Sequence, residues 1–187
     1  MSREVVARLR AAHVPAARGV VLEAGIGSGL NLPFYTAEVT RLYGVDPSAE
    51  LIAMARRMAE GVRFPVEFLQ QGAERIPLDE GAVDTVVVTW SLCSIDDPLR
   101  VLRELRRVLK PGGAFIFVEH GLAPDAGVRK WQNRLTPIWR HMAGGCHLNR
   151  KMDDLIREAG FTMTSVEMGY IPGPRVATYM YEGRAWR

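Results

Sequence analysis

Gly25, Gly27 and Gly29 stand at alternate positions directly after an apolar run that ends in an acid, Val20-Val21-Leu22-Glu23. That order of residue types makes a cradle for a small molecule. Glycine lets a backbone bend sharply and lie against a ligand with no Cβ in the way. The free N–H groups of a following helix start add positive partial charge. Two spacings narrow the ligand. A dinucleotide fingerprint needs its third glycine one position later, where this chain has Leu30, and a phosphate loop needs Gly-Lys-Ser/Thr, which does not follow here. A nucleoside without a pyrophosphate fits instead. Asp46, closing a second apolar run, sits where acids of doubly wound folds accept both ribose hydroxyl protons. Glu23 would be repelled by a pyrophosphate but suits a cation. A nucleoside that carries a sulfonium amino acid meets all of these demands, and that ligand is S-adenosylmethionine.

These residues need a sheet to carry them. Val5, Val6, Leu9 and Ala12 recur at helical spacing, which predicts an amphipathic helix over residues 1–18, packed on the domain's edge and broken by Pro15 and Gly19. After the first strand and the glycine turn come a short helix from Asn31 to Ala37 and a second strand, Arg41 to Asp46. Pro47-Ser48-Ala49-Glu50 opens the next helix, with Ser48 as an N-cap and Leu51, Ile52, Met54, Ala55 and Met58 as its apolar stripe. Val66 to Gln70 is a third strand. The fourth, Val83 to Thr89, is nearly all apolar, as for a strand buried on both faces. A helix from Asp97 to Lys110 is stopped by Pro111-Gly112-Gly113 before a fifth strand, Ala114 to Glu119. Residues 121–148 break the rhythm and read as an insertion. A helix from Asn149 to Ala159 leads to two final strands, Phe161 to Met168 and Val176 to Glu182, the last antiparallel. This alternation predicts an α/β fold: one doubly wound domain over residues 1–187, with a mostly parallel seven-stranded sheet and residues 121–148 as a lid over the substrate.

Composition is compatible with that plan. The 187 residues suffice for a core without staples, and 48% apolar with 24% charged residues is an ordinary globular balance. Cys93 and Cys146 cannot make a disulfide framework, and their spacing is not that of a zinc site, so no metal is expected and a reducing cytoplasm is the expected compartment. No run approaches the ~18 apolar residues of a membrane span, and no signal-peptide core follows Met1-Ser2-Arg3-Glu4, so the chain is expected to be neither secreted nor integral. A net charge of +3 demands no nucleic acid.

Four stretches then appear in order: Val21 to Gly29, Gly44-Val45-Asp46-Pro47-Ser48, Gly72-Ala73-Glu74-Arg75-Ile76-Pro77-Leu78, and Leu105 to Gly113. Together they resemble the successive motifs of class I S-adenosylmethionine-dependent methyltransferases, over about residues 18 to 120. The resemblance implies that Glu23, Gly25, Gly27 and Gly29, with Ile26, Ser28 and Asn31 of the same turn, line the methionine side of the cofactor. It implies that Asp46 takes the ribose, that Pro47 packs near the adenine, and that Gly72, Ala73 and Glu74 lie at its edge. Thr89, Trp90 and Ser91 are expected near the transferred methyl.

A narrower resemblance covers the second half. Ser91-Leu92-Cys93-Ser94, Phe117-Val118-Glu119-His120, Trp131-Gln132, Pro137-Ile138-Trp139 and Gly144 to Arg150 are similar to the microsomal alkyl-thiol S-methyltransferases, which add an N-terminal membrane anchor not seen in this sequence. It implies a small, lipophilic acceptor, a thiol before the amine or hydroxyl of a phospholipid or quinone. A protein that binds the cofactor without catalysis is the reading from another class. Methyl transfer is an in-line displacement on an activated donor, so orientation and exclusion of water are the protein's main tasks. Phe34, Trp90, Trp131 and Trp139 are candidates for an apolar acceptor cleft, with Cys93 and His147 beside it. His120, at the end of the fifth strand, is the preferred general base. The six Lys/Arg residues between Arg129 and Lys151, interleaved with tryptophans, fit a lid first, peripheral membrane contact second and nucleic acid third.

Overall fold

Val86, Val87 and Val88 are all fully buried, and they face two different cores: Val86 and Val88 join one cluster, Val87 the other. A central strand covered on both faces requires this, and it explains a run of valines with no polar alternation. The computed structural model describes residues 3–187, so Met1 and Ser2 of the expected N-terminal helix lie outside it. Its strands are β1 (Gly19–Ala24), β2 (Val39–Val45), β3 (Val66–Leu69), β4 (Val83–Thr89), β5 (Leu109–His120), β6 (Thr162–Tyr170) and β7 (Tyr179–Trp186). They form one seven-stranded sheet in the order β3-β2-β1-β4-β5-β7-β6. β7 runs antiparallel to β5 and β6, and the other pairings are parallel.

The helices are α1 (Arg3–His13), α2 (Ala49–Ala59), α3 (Pro98–Val108), α4 (Ala126–Met142) and α5 (Met152–Glu158). Leu102, Leu105 and Val108 of α3, with Met152 and Ile156 of α5, close one core over Phe115 and Phe117. Val14, Ala17, Leu32 and Tyr35 close the other over Val21, Leu42 and Ile116. Ser48 caps α2 by accepting the Leu51 N–H at 3.2 Å, and Asp97 caps α3 through the Arg100 N–H at 3.0 Å.

The expected helix over 31–37 is only a 3-10 turn, Leu32–Phe34. Pro33 has no N–H to give, and the side chains of Asn31 and Tyr35 are drawn inward to Glu23. Pro111-Gly112-Gly113 does not precede β5 but lies inside it, as an irregularity where pairing with β4 jumps from Val83↔Leu109 to Thr85↔Ala114. Residues 121–148 hold the 17-residue α4. Gln132 is buried inside it, accepting the Ala123 N–H at 2.9 Å and donating to the Gly121 and Val176 carbonyls, which pins the helix to the sheet edge. The last strand starts at Tyr179, after a 3-10 turn at Arg175–Ala177, rather than at Val176. Among the described residues no helix is long and apolar enough to cross a membrane.

Candidate functional site

The strand order reverses between β1 and β4, and ligands of open α/β sheets bind at the carboxyl ends of strands beside such a point. A cavity of about 680 Å³ opens there, within the range of about 300–1,000 Å³ usual for small-molecule sites. Glu23, Gly25, Ile26, Gly27, Ser28 and Asn31 line it from the end of β1 and the turn after it. Asp46 and Pro47 line it after β2, Gly72, Ala73 and Glu74 after β3, and Thr89, Trp90 and Ser91 at the end of β4. Gly29 does not line it. A Cβ there would meet Leu32 Cδ1 at 2.8 Å and Ala55 Cα at 3.1 Å, so this glycine serves the packing of α2 under the turn. At Gly25, with φ of +72°, a Cβ would lie 2.0 Å from Ser91 Oγ. The ends of β1 and β4 approach that closely only because the side chain is missing.

Acids tie the cavity wall together. Asp46 Oδ2 accepts the Gly27 N–H at 3.0 Å and Oδ1 the Ser48 N–H at 2.9 Å, which links the end of β2 to the glycine turn. Each oxygen keeps acceptor capacity for a diol. Glu23 is buried and accepts from Asn31 Nδ2 at 2.8 Å and from the Tyr35 hydroxyl at 2.7 Å. Burial pushes its carboxyl up to about 7, against the pull of those hydrogen bonds and of Arg10. Arg10 Nε donates to Asn31 Oδ1 at 2.9 Å. Burial lowers the Arg10 pKa while Glu23 holds it up. A cationic ligand in this cavity would favour ionised Glu23, so the residues present fit a sulfonium nucleoside.

Trp90 is the one non-glycine residue among the described residues with a positive φ, +51°. For so bulky a residue that conformation costs about 1–3 kcal/mol and persists only where surroundings enforce it. Its ring borders the cofactor cavity and a second one beyond, and its indole N–H is buried without a partner. The loop that follows is held from below. Buried Glu119 accepts the N–H groups of Ser91 at 2.7 Å, Leu92 at 3.0 Å and Cys93 at 3.4 Å. Burial raises this carboxyl to about 7 and the three N–H groups pull it back. Arg150 donates to the carbonyls of Leu92 and Ile95, each at 2.5 Å. Sequence reasoning misses Arg10, Glu119 and Arg150 as site residues. Glu119 carries the signal that exposed Glu23 and Asp46, an acid at the end of an apolar strand, whereas the two arginines have no local signature.

The second cavity, about 400 Å³, has Val6, Trp139, Leu148, Pro174 and Ala177 in its walls and Cys93, His120 and Cys146 among its lining residues. His120 Nε2 lies 3.0 Å from Cys146 Sγ, and the two sulfurs and this imidazole lie within 4.8 Å of one another. The two cysteine loops are joined by the His147 N–H, which donates to the Cys93 carbonyl at 2.7 Å. Hydrogen bonding from Cys93 outweighs burial and, with His120 adding to it, lowers the Cys146 thiol to about 4. The same contact pushes the Cys93 thiol up. Burial opposes charge on His120, but the Cys146 sulfur and Glu119 prevail and raise its pKa. Cys146 and His120 therefore each favour the charged form of the other.

Of the residues expected around an acceptor, Cys93, His120 and Trp139 line this cavity and Phe34, Trp131 and His147 do not. Phe34 packs against the second core. Trp131 is 55% exposed, on the side of α4 that carries the exposed Ile138 and Met142. His147 is spent on the Cys93 carbonyl through its backbone and, at 3.3 Å, its Nδ1. Spacing along the chain gave no sign of a zinc site, and the fold brings the ligand-type atoms of Cys93, His120 and Cys146 together.

Residues 22–117 match the family described as a methyltransferase domain. Thiol S-methyltransferase TMT1B of Rattus norvegicus is 36% identical over 151 residues, 79% of this chain and 62% of that protein. TMT1B of Homo sapiens is 32% identical over 169 residues, 88% of this chain and 69% of that protein. The chain thus spans about two thirds of these relatives' length. Phosphatidylethanolamine N-methyltransferase of Cereibacter sphaeroides is 38% identical over 122 residues, 64% of this chain and 59% of that protein. Among solved structures, a geranyl diphosphate methyltransferase in complex with S-adenosylmethionine superposes with a TM-score of 0.76 at 18% identity, over 98% of this chain and 84% of that one.

Proposed function

This chain belongs to the S-adenosylmethionine-dependent methyltransferases and lies close to the thiol S-methyltransferases, and we propose that it methylates the sulfur of a small lipophilic thiol. S-adenosylmethionine is its cofactor. When bound, the cofactor supplies a methyl group on a positively charged sulfur. Asp46 is the acceptor for its ribose, Glu23 the anion near its charge, and the glycine turn the surface against which it lies.

The second cavity carries the proposal. It shares Trp90 with the cofactor cavity, its walls are mainly apolar, and it ends on Cys93, His120 and Cys146. A thiolate loses its charge as it takes the methyl, so apolar walls that exclude water favour the transfer. The acceptor must first give up its proton, and His120 with Cys146 is the titratable group on that floor. The relatives named thiol S-methyltransferases match over as many as 169 residues, against 122 for the phosphatidylethanolamine enzyme. Labelled methyl transfer to a size-matched panel of thiols, phenols, amines and phosphatidylethanolamine tests the proposal. Methylation of thiols is expected. Transfer confined to an amine, a phenol or the phospholipid, or cofactor binding with transfer to nothing, overturns it.

A further inference from the structure

We propose that Cys93, His120 and Cys146 bind a zinc-type divalent metal ion whose fourth position opens into the acceptor cavity. The inference rests on the thiol reading only for the identity of that fourth ligand.

The ligand set is the first argument. Two thiolates and an imidazole are a set that zinc favours. Three protein ligands with one position left open are the arrangement of catalytic rather than structural zinc. Geometry is the second. Tetrahedral zinc, with Zn–S near 2.3 Å and Zn–N near 2.0–2.1 Å, places its ligand atoms about 3.6–3.8 Å apart. Here His120 Nε2 and Cys146 Sγ are 3.0 Å apart and the whole group lies within 4.8 Å. The separations of a tetrahedral centre fall between these two distances.

The frame around the three is rigid, as a metal site needs. His120 ends β5 and pairs there with Met180 of β7. The Cys93 loop is gripped from two sides by Glu119 and Arg150, and the His147 N–H fastens the Cys146 loop to it. All three ligand residues border the cavity that Trp90 separates from the cofactor site. Without a metal, His120 Nε2 is committed to Cys146, so it cannot take a proton from the acceptor unless that pair breaks. With the ion bound, the acceptor R–SH enters as fourth ligand and releases its proton to water, because a coordinated thiol is deprotonated. The sulfur would then take the methyl as the cofactor's own sulfur–methyl bond breaks, giving the neutral thioether R–S–CH3 and S-adenosylhomocysteine. The ion keeps its charge throughout and nothing is oxidised or reduced.

Reduced, full-length protein titrated with cobalt(II) is the test. One equivalent should give thiolate-to-cobalt charge transfer and the visible bands of a tetrahedral centre, displaced by one equivalent of zinc. Cys93→Ser and Cys146→Ser should each weaken zinc by more than about 100-fold, while His120→Cys retains it. S-adenosylhomocysteine binding serves as the check that each variant is folded. A small thiol added to the cobalt protein should shift the visible bands. Absence of charge transfer, or cobalt affinity unchanged in both folded serine variants, overturns the site. Full thiol methylation by chelator-treated protein overturns its role in activation. A cobalt site that forms in a protein methylating no thiol upholds the metal and overturns the acceptor, so the two failures are distinguishable.

Discussion

The guanidinium carbon of Arg10 lies 4.8 Å from the ring centroid of Trp90. This contact joins α1 to the strained residue that stands between the two cavities, and Arg10 also holds Asn31, which in turn holds Glu23 and Thr89. α1 is therefore part of the site and not only a helix on the domain's edge. Arg10→Ala removes a cation–π contact of about 0.5–2 kcal/mol and a hydrogen bond to a buried amide. S-adenosylhomocysteine affinity measured by calorimetry should fall by about five- to tenfold, the factor corresponding to about 1–1.4 kcal/mol. An unchanged affinity would mean that α1 does not support the cofactor cavity.

Gly25 and Ser91 offer a steric test in two parts. Gly25→Ala puts a methyl 2.0 Å from Ser91 Oγ at a φ of +72°, so cofactor affinity should drop by more than about tenfold through both strain and clash. Adding Ser91→Gly removes the clash but not the strain. Partial recovery in the double variant separates the two causes. No recovery would place the whole effect in the backbone.

Glu23 sets a pH dependence with a definite sign. Its carboxyl rises from the ordinary 4.5 to about 7 on folding, so between these values the folded protein holds a proton that the unfolded chain has lost. Its contribution is fully present below about pH 4.5 and is lost as pH rises through about 7, to a total on the order of 3 kcal/mol. Glu23→Gln should flatten that part of the melting temperature profile of the cofactor-free protein. A profile with the same slope in the variant would show that another group carries the dependence.

His120→Gln removes the imidazole that partners Cys146 in the acceptor cavity. Turnover with a thiol acceptor should fall by 10²–10⁴-fold, the usual contribution of a positioned acid or base. Affinity for S-adenosylhomocysteine should stay within about twofold, a change of only ~0.4 kcal/mol, since His120 does not line the cofactor cavity. Full activity in the variant removes His120 from the mechanism.

Two tryptophans of α4 should behave oppositely. Trp139 lines the acceptor cavity and Trp131 is exposed. Trp139→Ala should raise the thiol KM by roughly tenfold or more, from the loss of an aromatic wall of that cavity, and Trp131→Ala should leave it unchanged. Steady-state kinetics with one lipophilic thiol decides this. Equal effects would mean that the outer face of α4 also meets the acceptor.

The sequence alone determined the sheet and most of the wall of the first cavity, though not Arg10. The signals there are local: valine runs for strands buried twice, acids at strand ends, and glycines spaced over five residues, each encoded within a single strand or the turn that follows it. That is why the wall from Glu23 to Asn31 and the position of Asp46 could be read directly. Where the chain's local preference met a tertiary demand, the reading failed, as at Asn31, whose side chain Glu23 and Thr89 claim in place of a helix. Only the tertiary structure decided the acceptor side. Cys93, His120 and Cys146 are separated by 27 and 26 positions and lie after β4, at the end of β5 and after α4. No period or spacing records that they meet, because the crossover connections and the loop pinned by Glu119 and Arg150 bring them together.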